Sequence, residues 1–70
     1  MRSNRTTHTE FRFDTGEVFT ETHRDTWGGW VNMVRRVEDR MGCQMRSVGD
    51  SGHRWSFDGQ TCTTQTVMSF

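Results

Sequence analysis

The chain contains no Leu, Ile, Ala, Tyr, Pro or Lys. With the commonest core formers missing, an apolar interior has to come from six Val, five Met, five Phe and three Trp. Each such side chain contributes roughly 1.5–3 kcal/mol when fully buried, so a few large residues carry most of the burial. Seventy residues make one domain, near the lower limit for a chain that folds alone. Ordering costs of about 1.5 kcal/mol per residue leave little surplus in so small a fold. Self-association is an ordinary way to make up the difference, and a homodimer is the expected state.

Other absences narrow the function. Nine Arg balance nine Asp and Glu, so the bulk positive charge that drives sequence-independent nucleic-acid binding is missing. No apolar run approaches a membrane span and no signal-like segment follows Met1, which gives a cytoplasmic expectation. Cys43 and Cys62 are neither a disulfide framework nor a zinc pattern, and two reduced, partly buried thiols are expected. There is no phosphate loop, dinucleotide fingerprint, paired-cysteine finger or nucleophile elbow, and no cofactor is expected. Cys43 or Cys62 with His53 is formally a nucleophile–base pair. Catalysis also needs a thiolate and a shaped pocket, for which a one-helix domain has little room, so the expectation is a non-enzyme.

What is present is one clear helix among strands. From Trp27 to Gly42, apolar residues fall at Trp27, Trp30, Val34, Val37 and Met41, a spacing that stacks on one side of a 3.6-residue helix. Asp25 or Thr26 supplies the N-cap and Gly42 the left-handed stop. Gly28 and Gly29 weaken the first turn by about 1 kcal/mol apiece relative to Ala. Close packing of helix on sheet, or close approach of a ligand or partner, would each explain them.

Residues 1–6, with Arg2 and Arg5, read as a mobile tail ahead of a domain over 7–70. From Thr7 the pattern alternates, with Thr9, Phe11 and Phe13 on one face, and the turn at Asp14–Glu17 leads to a Thr-rich strand over Val18–His23. A two-residue loop would set Phe11 opposite Thr20; a loop one residue longer would set it opposite Phe19. After the helix come short strands over Cys43–Val48 and His53–Phe57, an Asp58-Gly59 type I′ hairpin turn, and a last strand from Gln60 to about Met68. The predicted fold class is α+β: an antiparallel sheet in ββαβββ order with one amphipathic helix packed on one face.

Three constellations could carry function. In the two-residue register His8, His23, Glu10 and Glu21 would share a face and could ligate a zinc-like ion, though a plain polar sheet face accounts for them as well. Arg35, Arg36 and Arg40 on the helix, with Arg46, Arg54 and Trp55 on the later strands, are the candidate partner-binding residues. A solvated helix face with local pairs such as Arg35–Asp39 is the plainer account of the helical ones. The last strand carries no charge, so it has to be central or have its edge covered by another molecule.

The segments Met41-Gly42-Cys43, Gln44-Met45-Arg46-Ser47-Val48 and Arg54-Trp55-Ser56-Phe57-Asp58-Gly59, within a hairpin, helix and three-strand meander, resemble small phage-encoded defence inhibitors of the type I anti-CRISPR kind. The resemblance implies a protein-binding module that blocks a surface of a larger protein or nucleoprotein complex in a host-cell cytoplasm. A small nucleic-acid-binding protein using the Arg-rich face, and a ligand-binding homo-oligomer, are the alternatives.

Overall fold

A computed structural model describes residues 5–69, and for 68 and 69 the backbone alone. Met1 to Asn4 of the expected tail lie outside the described residues. Two strands, β1 (Thr6–Phe13) and β2 (Val18–Arg24), precede the helix α1 (Trp27–Met41), and β3 (Met45–Ser47), β4 (Arg54–Phe57) and β5 (Gln60–Ser69) follow it. All five strands form one antiparallel sheet in the order β2-β1-β5-β4-β3, so the ββαβββ expectation holds. The uncharged last strand lies between β1 and β4 in the sheet order, with β4 covering only its first part, Gln60 to Thr63.

The turns set the register. Gly16 takes φ 98° and the Phe13 N–H donates to the Glu17 carbonyl at 2.8 Å, which gives the longer loop and sets Phe11 opposite Phe19. The two rings stack with centroids 5.0 Å apart. Asp58 and Gly59 both have positive φ, 51° and 91°, as a type I′ turn requires, and Phe57 pairs with Gln60 across them.

One sheet face carries Thr7, Thr9, Phe11 and Phe13 of β1, Phe19 of β2, Phe57 of β4 and Cys62 of β5; apart from the half-buried Phe19, all are buried. Met33 and Val37 of α1 complete this core, with Trp30, Val34 and Met41 packed against it. Thr26 caps the helix, accepting from the Gly29 N–H at 3.0 Å, and Gly42 closes it at φ 75°.

Two expectations for the helix are corrected here. Trp27, placed in the seam by its spacing, is 78% exposed, and fully buried Met33 takes the central place. At 3.6 residues per turn Trp27 lies about 80° round the helix from Val37, at the margin of the buried stripe, and Met33 turns that stripe towards β2.

Candidate functional site

Because α1 leans on β1 and β2, it leaves a channel on its other flank, above β3 and β4. Trp27, Val31, Val34, Arg35 and Glu38 follow one another along that flank, with Trp30 beside them, and Met45 and Trp55 form the floor. The groove has a volume of about 340 Å³. Its floor is rigid. Trp30 and Trp55 meet at 6.2 Å between centroids, and the Trp55 indole N–H donates to Thr64 Oγ1 at 3.0 Å. Glu38 Oε2 accepts from the Met45 N–H at 2.9 Å, which ties β3 to the end of the helix.

Beside the groove, under the first half of α1, the packed face turns polar but stays satisfied. His23 Nδ1 lies 3.0 Å from the Arg24 carbonyl, which can only accept, so that nitrogen donates. In the neutral ring Nε2 then accepts from Thr9 Oγ1 at 2.7 Å, and Thr9 in turn meets Thr66 Oγ1 at 3.1 Å. The fully buried Thr9 hydroxyl is therefore paired on both sides.

The six expected site residues divide among three places. Arg36 and Arg40 turn towards β2, where they reach Glu21 at 3.6 and 3.8 Å; Arg36 also donates to the Thr22 carbonyl at 2.9 Å, and Arg40 lies 4.1 Å above the Phe19 ring. Both act as clamps between helix and sheet. Arg35 stands at the groove rim, and among the described residues no ion pair joins it to Asp39 or to any other carboxylate. Trp55 is the groove floor. Arg46 and Arg54 alternate out of the core onto the opposite sheet face, which also carries Arg12 and Arg24.

That open face is mostly hydroxyl and guanidinium. Arg12, Thr63 and Arg54 form one row across β1, β5 and β4, and Thr61, Ser56 and Arg46 form the next. Arg12 is held by Glu10 at 3.0 Å, and Arg54 by Asp14 at 3.9 Å, while Asp14 also accepts from the Thr61 hydroxyl.

The conditional metal constellation is undone by the register. His8 and Glu10 sit on the open face, whereas Glu21 and His23 sit on the helix side. Among the described residues no group of three or more His, Cys, Asp or Glu could hold a metal ion. Both cysteines are free thiols, Cys43 half-buried and Cys62 buried. Burial first, and then the charge of Asp14, push the Cys62 thiol above its ordinary range, with Arg54 opposing. That environment disfavours the thiolate a nucleophile needs.

Trp27, Val31 and Val34 were not among the expected site residues. The signal for them is a second apolar stripe at 27, 31 and 34, alongside the buried one. No protein-family model matches the chain, and no curated protein or solved structure matches it. Among the described residues no helix is long and apolar enough to cross a membrane.

Proposed function

We propose that this chain is a non-enzymatic protein-binding module that docks onto a larger protein or nucleoprotein complex in the cytoplasm, in the manner of a phage- or mobile-element-encoded inhibitor. The observation that carries this reading is the groove between α1 and the β3–β4 edge. It combines a 78% exposed Trp27 with an apolar wall and a tryptophan floor. Exposed Trp beside Arg is the composition of interface hot spots, where a single truncation commonly costs 2 kcal/mol or more. Glu38 Oε2 accepts from the Met45 amide, and among the described residues no ion pair holds Arg35, so the Arg35 end of the rim favours a partner segment that brings a carboxylate next to an apolar side chain.

The test is capture from host lysate with the wild-type chain, Trp27→Ala and Arg35→Glu side by side, followed by mass spectrometry and nucleic-acid recovery on the same eluates. A protein retained by the wild type and lost from both variants supports groove docking. Equal retention by all three defeats it.

A second reading has its own observation. The open sheet face carries Arg12, Arg24, Arg46 and Arg54, with Glu10 and Asp14 set against them, an excess of positive charge in a chain of zero net charge. Such a face could follow a phosphodiester backbone. Arg35, Arg36 and Arg40 do not share it, which limits the number of phosphates it could meet. A mobility shift at low salt that is lost in Arg46→Glu would favour nucleic acid, and no shift with single- or double-stranded DNA or RNA would remove this reading.

A further inference from the structure

β5 is longer than its neighbour on one side can cover. β1 pairs with it from Cys62 to Ser69, but β4 reaches only from Gln60 to Thr63. One more bond, from the Thr64 N–H to the His53 carbonyl at 2.8 Å, ends that side. Beyond it, among the described residues, no strand pairs with the outer edge of β5. The backbone directions along this edge are fixed by two anchors. Thr64 points its N–H outward, while the Thr61 carbonyl points inward and accepts from the Asp14 N–H at 3.1 Å. The N–H and C=O of a strand residue point the same way and alternate along the strand, so Thr66 and Met68 direct both groups outward and Val67 directs its own towards β1.

Among the described residues nothing guards this edge. From Gln60 to Ser69 there is no charged residue and no Pro, and the β1–β5 register runs without a bulge. Natural sheets blunt their free edges with those devices because an unpaired, uncharged strand templates another. Val67 adds a second observation: it is apolar and 54% exposed, in line with His8 and Thr22 on the open face, where Val18 at the far end of β2 is the other exposed apolar residue.

We infer that this edge pairs with the same edge of a second copy, antiparallel about a two-fold axis through Val67, to form one continuous ten-stranded sheet. In that register Thr66 stands opposite Met68 of the partner subunit, and each pair exchanges two N–H···O bonds. Both outward amides and both outward carbonyls of residues 66 and 68 are satisfied in each chain. Val67 then faces Val67 of the partner subunit in a non-hydrogen-bonded site, where side chains approach most closely. Gln65 faces Ser69 of the partner subunit, so no like charges meet. An axis through Thr66 would instead set Met68 against Thr64, whose N–H His53 already occupies. The choice of a second copy rests on this self-complementarity, which an isologous interface demands. It is independent of the groove, which lies on the helix side.

The experiment combines mass in solution with a register-specific cross-link. Light scattering on the purified chain should give about twice the 8.2 kDa of one chain, falling to 8.2 kDa in Val67→Lys with an unchanged circular dichroism spectrum. In a Cys43→Ser background, Val67→Cys should form an intermolecular disulfide under mild oxidation, because the two Cα atoms of such a pair lie about 4.5 Å apart. Gln65→Cys should not, since its two copies would be separated by roughly 14 Å. The dissociation constant should rise at least ten-fold in Val67→Lys. A wild-type monomer at millimolar concentration overturns the inference. So does a dimer indifferent to Val67→Lys, or equal cross-linking through residues 65 and 67.

Discussion

Gly29 packs directly on the end of β2: a Cβ built on it would lie 2.9 Å from the Cβ of Arg24 and closer still to the Arg24 carbonyl oxygen. The neighbouring Gly28 has nothing within 4 Å of the same construction. Of the two explanations open for the glycine pair, close approach of helix to sheet applies to Gly29, and Gly28 takes no part in it.

The pair therefore separates in a mutational test. Gly28→Ala should stabilise the protein by up to about 1 kcal/mol, the ordinary gain in helix propensity. Gly29→Ala meets backbone that cannot yield as a flexible side chain would, and should destabilise despite the same propensity gain. Urea unfolding followed by tryptophan fluorescence gives both signs, and two changes of the same sign would refute the assignment.

Met33 and Trp27 should exchange the roles their sequence spacing suggests. Met33→Ala empties a fully buried position and should cost about 2–5 kcal/mol, enough to threaten folding. Trp27→Ala removes a larger but exposed side chain and should shift stability by no more than about 0.5 kcal/mol. Any loss of partner binding in Trp27→Ala would then not be a folding effect. Denaturant midpoints for the two variants decide the matter.

Alkaline pH should destabilise the fold through Cys62. Burial raises this thiol's pKa in the folded state, so its contribution is fully present below the unfolded value of 9.0. Above that value the unfolded chain loses the proton more readily than the native one, and stability falls as pH rises through the folded pKa. Cys62→Ala should cost about 1 kcal/mol at neutral pH and flatten this decline. Melting temperatures between pH 8 and 10.5 for the two proteins measure it.

The clamp of Arg36 and Arg40 on Glu21 should be modest and salt-sensitive. Both arginines are about half exposed, and their distances of 3.6 and 3.8 Å are long for tight pairs. Glu21→Gln should therefore cost less than about 1 kcal/mol at low salt and almost nothing in 1 M NaCl. An equal loss at both ionic strengths would show that packing, rather than charge, sets the role of Glu21.

Much of the fold was legible because local chemistry announces it. Alternation around Phe11 and Phe13, the Asp58-Gly59 turn, the Thr26 cap and the Gly42 stop each act within a few residues. The register of the first hairpin was not legible, since Asp14–Glu17 can form either loop and the deciding partner is the Phe19 ring across the strand. The site was harder still. Five arginines between positions 35 and 54 suggested one basic surface, but helix rotation sends Arg36 and Arg40 to Glu21 and leaves Arg35 at the groove, while strand alternation puts Arg46 and Arg54 behind the sheet. Rotation of a helix on a sheet is a tertiary outcome, here fixed by Met33 and Gly29, and periodicity alone specifies it only to within one stripe of side chains.

The sheet order has a kinetic corollary. β1 and β5 are neighbours at the middle of the sheet although they come from opposite ends of the described chain, Thr6 lying opposite Ser69. The two hairpins β1–β2 and β4–β5 can each close within a short span of sequence, but the seam that unites them joins residues far apart in the chain, from Phe13 with Cys62 at its inner end to Thr6 with Ser69 at its outer end. Joining that seam is the slow event expected of such long-range pairing. Until it happens each hairpin exposes its Phe-bearing face and a bare inner edge, so folding speed, rather than the final balance of contacts, governs how long the chain is vulnerable to aggregation.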